Sequence, residues 1–332
     1  MIKTFFKNHP IHKKVAPIFD FINVLFPLNY FLIWMNVCVG LYLGLFTQGL
    51  SPQFISNVDF SVLFLFLGIT SIMSSYFIDF QLLNMNDHHS SIYFVKQKYS
   101  SKFINNFKVY LNVFGLLFLF LSFWLLCILG LILIFINKII LNNRKNTHLS
   151  VKLILQLVVA FILSIAGFIK SSSLNVDYEM FNYISMYFKY IIPYLLFYIS
   201  SFFILNTKDY LFSPKRLSYF TGYSSNSVNS KIISLISLIL ILFSIVLSIK
   251  LNDPLASISL AVSSPFYLYV LIRGLDKDYQ RVFTYPVAII NFFCMTIFPY
   301  LFILIFSIFY LTKYYNWHRL NFHFPTFLVE ND

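Results

Sequence analysis

The sequence predicts an all-α polytopic membrane protein, a bundle of nine transmembrane helices with its N-terminus in the cytoplasm. Three observations lead there. The 332 residues are 59% hydrophobic and only 11% charged, whereas a soluble domain carries about a quarter charged residues. The apolar residues gather into runs of the length a bilayer demands, since a hydrocarbon core about 30 Å thick takes roughly 20 residues of helix. The basic residues sort to one side of those runs. A soluble enzyme is excluded. So are a disulfide scaffold and a cysteine metal site, because Cys38, Cys127 and Cys294 all lie within apolar runs. The nine glycines are spread singly, which excludes a glycine-rich phosphate loop.

Seven runs fit one span each: 28–46, 60–82, 151–169, 186–206, 232–249, 254–272 and 285–311. One more, 107–141, is 35 residues long, about 52 Å as a single helix. It is either one strongly tilted helix or two short ones meeting near Leu121–Trp124. Charge decides between them. With two helices, nineteen of the 24 Lys and Arg fall on the N-terminal side and five on the other; with one, the division is thirteen to eleven. Positive charge collects in cytoplasmic loops, so two helices are expected.

Residues 28–311 are then expected to form a single membrane domain, between a basic tail at 1–27 and a C-terminal tail at 312–332. The first tail is broken by Pro10 and Pro17 and has no uninterrupted apolar core leading to a small-residue cleavage site. It reads as an interfacial anchor rather than a signal peptide. The net charge of +12 follows from topology and attraction to anionic membrane lipids. No soluble basic face exists for a nucleic acid. A bacterial cytoplasmic (inner) membrane is the expected location.

An ionisable group inside a membrane is costly unless paired, hydrated or bound to an ion, which makes it a functional candidate. Asp20, Asp59, Asp177, Glu179, Asp253, Glu330 and Asp332 fall at helix ends or in tails and read as ordinary. Asp79, Asp87, Asp209, Asp276 and Asp278 fall on the expected cytoplasmic side. Asp79, Leu83 and Asp87 share one helix face at a spacing of four. The two carboxylates would be about 12 Å apart, too far to chelate one Mg2+ together but able to line one diphosphate site. The alternative is a helix-end Asp79 reaching headgroups and an Asp87 capping the next helix. Asp209 precedes Lys215 and Arg216, a combination that suits Mg2+ and phosphate, because carboxylate oxygens hold the ion and cations hold the anion. The alternative is a polar loop. His88 and His89 are adjacent and point about 100° apart on a helix, so they read as surface histidines. Asp276, Lys277, Asp278 and Arg281 read as a self-paired loop. The 42 Phe and 23 Tyr are spread over nearly every span and read as lipid-facing bulk and compositional bias.

Nine helices with acidic segments after the second and sixth resemble the UbiA superfamily of intramembrane prenyltransferases. In that family a first motif N-D-x-x-D-x-x-x-D is followed by N-R-P-L-x-S-G. Aligned without gaps, Asp79 falls on the Asn, Leu83 on the middle Asp, Asp87 on the last Asp, Lys96 on the Arg and Ser100 on the Ser. RKNTHLS, with Arg144, Lys145 and Thr147, is similar to a basic K-R-x-T turn. DYLFSPKRLSYFTG resembles D-x-x-x-D followed by G-K-R-T-L and a glycine, with Asp209 on the first Asp and Ser213 on the second. Lys215, Arg216 and Gly222 match after a shortened loop. The resemblance implies Mg2+-dependent transfer of a prenyl group from a prenyl diphosphate to a lipophilic or aromatic acceptor. Asp79, Asp87 and Asp209 would be catalytic, with Asp87 and Asp209 holding the metal and Lys96, Lys215 and Arg216 the diphosphate. Leu83 and Ser213 depart from the pattern, and the first span carries no Lys or Arg. These departures keep two other readings in view: a non-catalytic lipid- or partner-binding protein of the same fold, and a small-solute transporter. The transporter would call for mid-membrane charges in several helices, or inverted repeats.

Overall fold

A computed structural model describes residues 10–25, 30–49, 60–83, 91–142, 149–172, 180–205, 230–274, 276–298 and 300–317. Among these residues every regular element is helical. The helices are α1 (Pro10–Leu25), α2 (Tyr30–Thr47), α3 (Phe60–Leu83), α4 (Ser91–Lys98), α5 (Ser101–Ser122), α6 (Trp124–Asn142), α7 (Leu149–Ser172), α8 (Met180–Leu205), α9 (Ser230–Lys250), α10 (Pro254–Ile272), α11 (Asp276–Ile297) and α12 (Tyr300–Tyr315). Eight of them, α2, α3 and α5 to α10, are long and apolar enough to cross a membrane. The chain is a multi-pass integral membrane protein.

The run at 107–141 is two helices. They meet at Phe123, whose backbone is extended at φ −168° and ψ 131°. The first begins at Ser101 rather than 107, because the Ser100 hydroxyl accepts the Phe103 N–H at 3.2 Å and caps the helix. The run at 285–311 is not the single span expected. It is shared between α11 and α12, whose apolar stretches are Tyr285–Ile297 and Leu301–Tyr315. The sequence carries Pro299 there, and a following proline disfavours helical backbone at Phe298.

The described residues belong to two compact units. The first comprises Met1–Tyr30, Asp59–Asn143 and Phe302–Phe327. Here α3 packs on α5 and α6, and α1 packs on α3 and α4. Val24, Ile78, Val95 and Ile104 are buried together, with Phe21 and Phe107 packed edge to face at 4.9 Å. The α1 segment, expected to be an interfacial anchor, thus contributes to a core. Its Asp20 is buried and accepts the Tyr315 hydroxyl at 2.8 Å.

The second unit comprises Phe31–Val58, Arg144–Leu301 and Leu328–Asp332. Without a hydrophobic drive between helices in lipid, small residues and polar ties hold such bundles together. Both are present. A Cβ on Gly40 would lie 1.8 Å from the Ser164 carbonyl oxygen, and one on Gly167 would lie 2.1 Å from the Val37 oxygen. Helices α2 and α7 therefore touch backbone to backbone. Tyr198 donates to Asn36 at 2.5 Å, Asn291 donates to the Phe31 carbonyl at 3.0 Å, and Tyr267 shares hydrogen bonds with Ser200 and Ser201. The turn from α9 to α10 is set by local chemistry. Asn252 adopts φ 54°, a left-handed conformation that Asn tolerates. Asp253 then caps α10, and Pro254 occupies the first helical position, where its missing N–H costs nothing.

Candidate functional site

The candidate residues that the structure describes lie in the first unit. Asp79 sits one turn before the end of α3, and its carboxylate accepts from the Lys108 ammonium on α5. Close packing makes that meeting possible. A Cβ on Gly68 of α3 would lie 2.9 Å from the Gly115 oxygen of α5, and one on Gly115 would lie equally close to the Gly68 oxygen. The Lys108 side chain is 18% exposed and that of Asp79 37%, so the pair is screened only in part and each charge stabilises the other. Lys108 went unrecognised in the sequence because it reads as one more positive-inside charge. Its place at the head of the apolar run 107–141 was the available signal.

Lys96 lies in the last turn of α4 together with Lys98, where cations suit the negative end of the helix dipole. Helix α4 packs on α1 and α3. Ser100, which falls on a motif serine in the family pattern, serves here as the cap of α5. Asp87, Asp209, Lys215 and Arg216 lie outside the described residues, as do Arg144, Lys145, Thr147, Ser213 and Gly222. Among the described residues no group of three or more His, Cys, Asp or Glu is placed to hold a metal. Asp79 is paired with an ammonium, and Asp87 and Asp209, which the family pattern would make the magnesium ligands, lie outside the described residues.

No family model, curated protein or solved structure matches this chain.

The second unit holds an acid that its position in the sequence hides. Asp253 reads as a helix-end residue, yet it is fully buried. The Tyr42 hydroxyl donates to its Oδ1 at 3.0 Å, the Tyr194 hydroxyl donates to its Oδ2 at 3.1 Å, and the Ala256 N–H donates to Oδ1 at 3.1 Å. One side chain thereby caps α10 and ties α2 and α8 to the α9–α10 turn. Burial raises its carboxyl pKa above the ordinary 3.8, and the donors from Ala256, Tyr42 and Tyr194 oppose that rise only in part. Ionisation is therefore costlier in the fold than in the unfolded chain. The stability that the neutral acid contributes is complete below the ordinary aspartate range, and it is lost as pH rises through the folded value. As pH rises above about 4, melting temperature should fall more steeply in the native protein than in Asp253→Asn, which cannot ionise. Equal slopes would remove Asp253 as the cause.

Proposed function

We propose that this chain is an intramembrane prenyltransferase of the UbiA kind, transferring a prenyl group from a prenyl diphosphate to a lipophilic or aromatic acceptor. The observation that carries the reading is the paired order of acid and base in two segments. Asp79 in the last turns of the second long span and Asp87 beyond it precede Lys96, and Asp209 precedes Lys215 and Arg216 after the sixth. The long apolar helix α3 ending just beyond Asp79, and the break at Phe123 that separates α5 from α6, support it.

In such a transfer the C–O bond to the diphosphate breaks and its electron pair leaves with the diphosphate. The acceptor supplies the pair for the new bond and gives up a proton. The protein's largest task is to offset charge on the departing anion. Lys96, Lys215 and Arg216 would bind its oxygens. Mg2+ held by Asp87 and Asp209 would supply the rest of the neutralising charge. The Asp79–Lys108 pair, neutral as a whole, lies at this end of α3 and α5. Asp79 would then act as a positioning residue, holding Lys108 near the diphosphate. Purified protein in proteoliposomes should bind labelled prenyl diphosphates in a magnesium-dependent way. Absence of binding across a range of prenyl lengths would overturn the reading.

Leu83 and Ser213, where the family pattern has acids, favour one alternative: a lipid- or partner-binding protein that keeps the fold without turnover. Leu83→Asp combined with Ser213→Asp separates the two. Gain of transfer supports an enzyme weakened at those positions, and unchanged silence supports the non-catalytic role.

A further inference from the structure

Two arginines of the second unit converge on one atom. Arg273 ends α10, where Gly274 turns the chain at φ 60°, and Arg281 lies in the second turn of α11. Arg273 Nη2 donates to Asp278 Oδ1 at 2.7 Å, and Arg281 Nη1 donates to the same oxygen at 3.3 Å. Those two nitrogens are therefore at most about 6 Å apart. The Asp278 side chain is 0% exposed, while those of Arg273 and Arg281 are 42% and 22% exposed. A buried acid thus fixes two guanidiniums whose outer parts reach the surface. One carboxylate balances one guanidinium, so these three residues carry a net positive charge. Arg281 Nε and Asp278 Oδ2 are both buried without a hydrogen-bond partner, so it is the exposed outer nitrogens of the two guanidiniums that remain to meet a ligand.

The surroundings indicate what the excess charge is for. The Arg273 guanidinium stands over the Tyr269 ring at 4.4 Å, which fixes its plane. Just below it on α10, Ile272 and Leu268 are exposed and share a helix face. An apolar outer face topped by paired guanidiniums at the end of a membrane span complements a molecule with acyl chains and a phosphate. Guanidiniums bind phosphate oxygens by charge-assisted, often bidentate hydrogen bonds.

We infer that Arg273 and Arg281, held together by Asp278, form a binding site for the phosphate of an anionic phospholipid, with its acyl chain against Leu268 and Ile272. The site is independent of the proposed prenyl transfer. Free phosphate shares the headgroup chemistry but has no use for the apolar face. The test is native mass spectrometry of the full chain titrated with phosphatidylglycerol and with phosphatidylcholine of identical acyl chains, with and without millimolar inorganic phosphate. The native protein should prefer phosphatidylglycerol by about tenfold. Arg273→Gln should lose most of that preference while binding phosphatidylcholine as before. The double variant Arg281→Gln with Asp278→Asn, which leaves no unpaired buried acid, should do the same. Equal retention of the two lipids, or a preference unchanged in both variants, would overturn the inference. Displacement of phosphatidylglycerol by inorganic phosphate, without any dependence on acyl chain, would assign the site to free phosphate and overturn it as well.

Discussion

Gly40→Ala and Gly167→Ala should each destabilise the second unit by about 3 kcal/mol, a large effect for one added methyl. The cause is the identity of the atoms met. A Cβ on Gly40 would lie 1.8 Å from the Ser164 oxygen and 2.7 Å from its carbonyl carbon. One on Gly167 would lie 2.1 Å from the Val37 oxygen and 2.8 Å from the Leu41 nitrogen. All four are backbone atoms inside helices, which cannot rotate aside, so α2 and α7 must separate. Separation surrenders the van der Waals contact that holds apolar helices together in lipid. Gly130→Ala is the internal control. Its new Cβ would meet only the side-chain carbons Leu119 Cδ1, Leu116 Cδ2 and Ile72 Cδ1, at 2.6, 3.0 and 3.2 Å. Those can shift, and alanine gains about 1 kcal/mol of helix propensity over glycine. Thermal unfolding in one detergent should place Gly40→Ala and Gly167→Ala well below the native protein, with Gly130→Ala close to it. Indistinguishable melting of all three would contradict the backbone contact.

What the sequence revealed, and what it hid, follows from the range of the forces involved. The division of 107–141 was legible because helix length and the sorting of charge across a membrane are both one-dimensional properties. The division of 285–311 was missed, although Pro299 marked it, because proline is tolerated inside membrane helices such as α8 with Pro193 and α10 with Pro265. The role of α1 was hidden for another reason. Pro10, Pro17 and several lysines suggest a tail, and only neighbours brought by folding, such as Tyr315 beside Asp20, bury its inner face.

The same limit applies to the polar residues. Asp253 is 211 residues from Tyr42 and 59 from Tyr194, so no local pattern marks it as buried. Asp278 was legible as a self-paired acid, and Arg281 does pair with it, but in the first two turns of α11 rather than in the loop expected. What the sequence did not disclose is that the acid is buried and that Arg273 joins it from the end of α10. Asp79 was legible as an acid within an apolar run, but its partner Lys108 was not. Of the proposed catalytic set, Asp87, Asp209, Lys215 and Arg216 rest on the sequence pattern alone.

Those residues carry the other large expected effect. Asp87→Asn and Asp209→Asn should each lower prenyl transfer by at least about a hundredfold, the scale on which loss of one preorganised electrostatic contact to a developing charge is felt. Both substitutions preserve size and remove only charge, so folding and insertion should be unchanged. Asp79→Asn should act differently. It deprives Lys108 of its counter-charge, and its effect should fall on substrate binding more than on the maximal rate.

The decisive measurement is transfer from radiolabelled prenyl diphosphates to a lipophilic acceptor in proteoliposomes, with the native protein compared with Asp87→Asn and Asp209→Asn at saturating magnesium. The account predicts measurable transfer by the native protein and near-complete loss in both variants. Transfer that persists undiminished in the two variants, or its absence from well-folded native protein at every prenyl length, would contradict it.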